Sequence, residues 1–181
     1  MNVYEVVALT IHSNKDILGG RTAIQKLIYF VSQINSNIKI KPYENYFHGP
    51  FSREVISALE AMSAFSYLYE IPHSGTYEKY EYKLTKKGIE YACHLAKQHP
   101  SEFKRISEIV ETCNELCKLN PNPLSYATKT HYILKNTNES QTDYTLNDVR
   151  RVATDFGWEI SQNDADAGAS LLKKLNLVKI S

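Results

Sequence analysis

A mainly helical fold with one small β-hairpin is predicted by three features of the sequence. Apolar residues recur at three- and four-residue spacing over most of the chain. One stretch, Tyr77–Leu84, alternates instead, and it follows a short β-prone run from Tyr67 to Pro72 and a Gly-containing turn, His73–Thr76. Finally, the segment Leu119–Pro123 (LNPNP) concentrates prolines and asparagines, which predicts a linker between a module over 1–118 and a second over 119–181.

Val3, Val6, Val7, Thr10 and Ile11 set out the first helix, and Asn14, Gly19 and Gly20 end it. From Arg21 onward, Ile24, Leu27, Ile28, Val31 and Ile34 form a stripe flanked by Ala23, Tyr29 and Phe30, so the second helix is expected to be buried on more than one side. Pro42, Gly49 and Pro50 oppose a helix over Lys39–Phe51, where Tyr43, Tyr46 and Phe47 suit an extended strand. Ser52 can cap a third helix with Val55, Ile56, Leu59 and Met62 inward. In the hairpin, Tyr80, Tyr82 and Leu84 share the packed face, and Lys79, Glu81 and Lys83 the wet one.

Thr85 opens a helix reaching Lys97, and Pro100 separates it from another carrying Phe103, Ile106, Val110, Cys113 and Cys117. Beyond the linker, Leu124–Lys135 reads as a helix and Asn136–Tyr144 as a polar loop. Thr145 with Asp148 resembles a capping box for a helix to Phe156. Ser161 with Asp164 starts the last helix, with Ala165, Ala169, Leu172 and Leu175 inside, ahead of a β-prone tail, Leu177–Ile180. The run Ala167–Ile180 echoes Ile56–Ile71, so the second module is expected to be a helical, winged-helix-like copy of the first.

Three helices followed by a hairpin are the order of a winged helix, whose third helix and wing can face one partner. The first half also carries GRTAIQKLIYF (Gly20–Phe30), YENYFHGPFSREVISALEAM (Tyr43–Met62) and YEYKLTKKG (Tyr80–Gly88). This wording resembles the YwgA-like proteins and, more distantly, the antitoxin-like Panacea domain, in which a QKL-Y-F helix precedes a Y-x-GP-x-S segment. The resemblance covers about half the chain. It implies a winged-helix core and leaves function open between an uncharacterised family and antitoxins.

Composition excludes several classes. A formal charge of +1 on 181 residues gives no global field toward nucleic acid or anionic membrane, and no apolar run is long enough to span a bilayer. A cytoplasmic placement is expected. Cys93, Cys113 and Cys117 are too few for a disulfide framework, and Cys113 and Cys117 fall on an apolar stripe, so free thiols without metal are expected. Gly19-Gly20 lacks the rest of a phosphate loop, and the histidines have no local nucleophile-and-acid signature, so no cofactor and no catalytic residue is assigned. His131 falls on an inner stripe and reads as a core group, and His48 reads as part of the turn before Gly49-Pro50.

The sequence therefore predicts a non-catalytic winged-helix protein that binds duplex DNA as a regulator through Arg53, Ser57, Lys79, Lys83, Lys86 and Lys87. The rival is a protein-binding adaptor or antitoxin-like protein without DNA contact, since Glu54 and Glu60 share the third helix with Arg53. A homodimer through the amphipathic helix Ser101–Lys118 would suit either.

Overall fold

The computed structural model describes residues 1–40, 42–72, 80–137 and 146–178. Helix α1 (Val3–His12) starts with a reciprocal cap, in which the Glu5 amide donates to Asn2 Oδ1 at 3.1 Å and the Asn2 amide to Glu5 Oε2 at 2.8 Å. Strand β1 (Ile17–Gly19) leads through Gly20 into α2 (Arg21–Ile34), and α3 (Arg53–Ala64) precedes the hairpin strands β2 (Leu68–Pro72) and β3 (Tyr80–Leu84). Then follow α4 (Lys86–Gln98), α5 (Pro100–Cys117), α6 (Pro121–Thr137), α7 (Leu146–Asp155) and α8 (Gln162–Lys174). The result is mainly helical with one antiparallel sheet, in the order β1-β3-β2.

The register of the hairpin agrees with the alternation. Tyr82 pairs with Glu70 on one side and Leu18 on the other, and Tyr82 and Leu84 are buried while Lys83 is exposed. The expected turn, His73–Thr76, and the first residues of the alternating run, Tyr77–Lys79, lie outside the described residues. Strand β1 was not legible: Gly19 and Gly20 read as a break, yet the three residues before Gly20 pair with β3, more than sixty positions on. The strand expected around Tyr43–Phe47 reduces to a single bridge, Glu44 with Phe51, because Gly49 at φ 94° and Pro50 turn the chain back between them.

The phrase KLTKKG has a packing explanation. The Thr85 hydroxyl accepts from the Gly88 amide at 3.0 Å and donates to the Ser66 carbonyl at 2.7 Å, which locks α4 against the end of α3. Any Cβ at residue 88 would overlap the Tyr67 carbonyl oxygen.

The main core joins α1, α2, α3, the sheet, α4 and α5 with Leu124, Ala127, Leu171, Leu172 and Leu175 from beyond the LNPNP segment. A smaller cluster gathers Ile133, Val149, Ala153, Trp158, Ile160 and Ala165. The α5 stripe of Ile106, Ile109, Val110 and Cys113 is buried within this chain, leaving Leu116 as its one exposed large apolar side chain among the described residues. The surface expected to carry a homodimer is therefore occupied internally. All three strands among the described residues precede α4, and Leu177 and Val178 belong to no strand. No helix among the described residues is long and apolar enough to cross a membrane.

Candidate functional site

Arg53 is the first residue of α3, and its Nε donates to Glu44 Oε2 at 3.3 Å. Ser57 lies one turn on, exposed, and Glu60 is exposed beyond it. Lys83 is exposed on the outer face of β3 beside Tyr69 and Ile17. Lys86 and Lys87 open α4, and Lys87 Nζ donates to the Phe65 carbonyl at 3.1 Å while lying 4.1 Å from the centre of the Tyr67 ring. Lys79 lies outside the described residues. Arg53 and Lys87 thus mark opposite ends of a twelve-residue helix, about 18 Å long at ~1.5 Å per residue. Between them the outward row carries a carboxylate and no further cation.

The end of α3 carries something different. Tyr4, Ala61, Met62, Phe65, Tyr67 and Tyr91 line an open groove of about 260 Å³ between α1, α3 and α4. Phe65 is 69% exposed and Tyr4 43%, although both are large and ringed by other apolar groups. At the edge of the groove Lys87 stands over the Tyr67 ring, and on the other side burial, with Glu5 nearby, pushes the Tyr91 hydroxyl up.

A second cavity, of about 210 Å³, lies between α2 and the loop 42–52, lined by Arg21, Thr22, Gln25, Lys26, Tyr46, His48, Gly49, Phe51 and Ile56. Here the residues of the QK and HGP-x-S phrases meet. Gln25 Nε2 donates to the Ser52 carbonyl at 2.8 Å, and the Ser52 amide donates back to Gln25 Oε1 at 3.1 Å, so one side chain satisfies both polar groups of that backbone. Lys26 Nζ donates to the Pro50 carbonyl at 2.8 Å. Lys26 is only 2% exposed, and burial with the nearby positive Lys129 pulls its ammonium down to about 7. Lys129, on α6, is itself 8% exposed and lies 5.5 Å from the ring centres of Tyr126 and Trp158. Gly49 is wedged between the two lysines, where a Cβ would come within 2.9 Å of Lys129 Cγ and 3.5 Å of Lys26 Nζ.

Arg21, at the mouth, is held by its Nε to the Tyr82 hydroxyl at 2.6 Å and by Nη2 to Glu70 at 2.9 Å. Further along α2, the Tyr29 hydroxyl and His131 Nδ1 are 2.8 Å apart. Burial, with a smaller contribution from Lys135, pushes His131 down to about 4. His131 is thus the neutral core group that its stripe predicts.

The fold also assembles a contact that the linear sequence hides. His12 Nδ1 is 2.6 Å from Asp16, and His12 Nε2 is 3.8 Å from Cys93 Sγ, with Phe103 stacked on the imidazole at 5.5 Å. It ties the end of α1 to α4 and to the turn before β1. Burial pushes the Cys113 and Cys117 thiols up, and Cys117 donates to the Cys113 carbonyl at 3.0 Å. No group of three or more metal-ligating side chains occurs among the described residues.

No family model matches the chain. Over 115 residues it is 29% identical to the uncharacterized protein YwgA of Bacillus subtilis (strain 168), a match covering 58% of this chain and 69% of that protein. The chain is similar to YwgA. That likeness assigns no activity, so function rests on the geometry. The groove and the buried lysines escaped the sequence reading because both depend on partners far along the chain. The signal that was available is the pair Gln25-Lys26 inside an otherwise apolar helix, opposite a Gly-Pro loop.

Proposed function

We propose that this protein is a non-catalytic winged-helix module that docks a protein partner, in the manner of an adaptor or antitoxin-like protein, and does not read duplex DNA. The element order, with one strand between the first two helices, a hairpin after the third helix and the sheet order β1-β3-β2, supports the winged-helix assignment. The single observation that carries the docking reading is the uncovered groove at the end of α3, where Phe65 stands 69% exposed beside Tyr4, Tyr67 and Tyr91. Lys87, over the Tyr67 ring at its edge, favours an occupant that combines an apolar segment, anchored by burial, with an acidic flank steered by charge.

The cations assigned to DNA support a reader less well. Arg53 is paired with Glu44, Glu60 interrupts the row, and Lys87 stands at the far end of α3 over the Tyr67 ring, so the described cations do not line one strip. Selection of random displayed peptides on the whole chain, with a Phe65→Ser variant as counter-target, tests the reading. It expects peptides that combine apolar anchors with acidic residues and bind the variant about tenfold more weakly or worse. Peptides without that pattern, or with equal affinity for the variant, overturn it.

A further inference from the structure

We infer that the cavity between α2 and the loop 42–52 binds a small organic anion, whose carboxylate or phosphate head meets Lys26 and whose apolar body lies along Tyr46, Phe51 and Ile56. This site is separate from the groove at Phe65 and does not rest on the docking reading.

The starting point is a charge with too little to do. An ammonium has three donors, and Lys26, at 2% exposed, has one acceptor among the described residues, the Pro50 carbonyl. Lys129 lies near enough to repel it, while Asp164 acts on Lys129, and Lys26 makes no ion pair among the described residues. Burying a cation this way costs several kcal/mol, roughly what a methionine of similar volume would avoid.

Holding the loop does not explain that cost. Gln25 already clamps Ser52 with two hydrogen bonds, Glu44 and Phe51 exchange two backbone bonds of 2.8 and 2.9 Å, and Trp158 Nε1 donates to the Tyr46 carbonyl at 2.7 Å. The loop is fixed without Lys26. What Lys26 adds is a positive donor on the wall of a cavity.

The rest of the cavity suits the same ligand. Its polar wall includes Arg21 and Thr22 from the first turn of α2, a turn with no acidic residue and no side-chain cap at Gly20, so the positive end of the helix adds to the field of Lys26. Arg21 is already held by Glu70 and Tyr82, which leaves Lys26 as the uncommitted donor, about half protonated at pH 7 and held protonated once an anion sits against it. The opposite wall is apolar, with the Tyr46 and Phe51 rings 4.9 Å apart and Ile56 beside them. A volume of about 210 Å³ has room for one charged head and a single ring or short chain.

Amide NMR shifts of the ¹⁵N-labelled whole chain, titrated with benzoate, phenyl phosphate, inorganic phosphate and benzyl alcohol, test the inference. Benzoate or phenyl phosphate is expected to shift Arg21–Lys26 and Tyr46–Phe51, and whichever binds tighter identifies the head. Inorganic phosphate is expected to bind more weakly for lack of a body, and neutral benzyl alcohol about tenfold more weakly or worse, as is the better anion to Lys26→Met. Shifts centred elsewhere, no anion binding at millimolar concentration, or benzyl alcohol binding as well as benzoate would overturn it. Undiminished anion binding by folded Lys26→Met would do the same. If that variant does not fold, the wild-type titrations decide alone.

Discussion

Around α3 and the hairpin the described cations lie at the surface, and Arg53 and Lys87 have local partners, whereas between α2 and α6 two lysines are buried, Lys26 on one backbone acceptor and Lys129 beside two aromatic rings and near Asp164. The contrast separates charge that is cheap from charge that is retained at a cost. An exposed ion pair contributes ~0–1 kcal/mol and is screened by salt, so its presence says little about a ligand. A buried, unpaired ammonium shifts stability by several times that, which makes it informative. By this measure the cations of α3 and the hairpin carry little information about a ligand, and Lys26 beside the α2 cavity carries more.

The largest effect is expected where charge enters the packed face of the hairpin. Tyr82 is 1% exposed and its hydroxyl links Arg21 and Glu70, so Tyr82→Asp places a carboxylate beside Glu70 in the core. Urea unfolding should show a loss of about 4 kcal/mol, and a loss below about 1 kcal/mol would mean that the packed face is misassigned.

Next in size is the acid limb of stability. His131 titrates near 6.5 when unfolded and at about 4 when folded, so the unfolded chain takes up a proton that the folded chain refuses between those values. Its contribution is complete above pH 6.5 and lost as pH falls to 4, about 3 kcal/mol in all. His131→Phe should flatten that part of the profile relative to wild type, as read from urea midpoints.

Lys26 works in the alkaline direction. Its folded value of about 7 lies below the unfolded one, so the unfolded chain holds more protons between pH 7 and 10.5, and wild-type stability should rise with pH through that window. Against Lys26→Met, the rise from pH 7 to 9 should be about 2 kcal/mol, and parallel profiles would remove the buried cation from the account. At the surface the same kind of change should do almost nothing: Arg53→Ala is expected to stay within about 0.5 kcal/mol by thermal melting.

How much of this was readable in the sequence follows the range of the interactions. The alternation of Tyr80, Tyr82 and Leu84 gave the hairpin face, and Ser161 with Asp164 gave the last helix, where the Asp164 amide donates to Ser161 Oγ at 3.2 Å. These depend on neighbours a few residues apart. Strand β1 is too short to show a period and exists by pairing with β3. Lys26 lies between Ala23, Tyr29 and Phe30 on the flank of the α2 stripe, and the partners that bury it, the loop 42–52 and α6, are too far along the chain to be read from that flank. The contact of His12 with Cys93 spans eighty-one positions and has no local trace.

Whether the cations of α3 and the hairpin make a DNA surface is read by fluorescence anisotropy of the whole chain with a mixed pool of short duplexes at two salt concentrations. No salt-dependent binding is expected even at the lower salt. Binding there that weakens with salt, with a slope reduced by roughly two when Lys83 and Lys86 are both changed to Ala, would contradict that expectation.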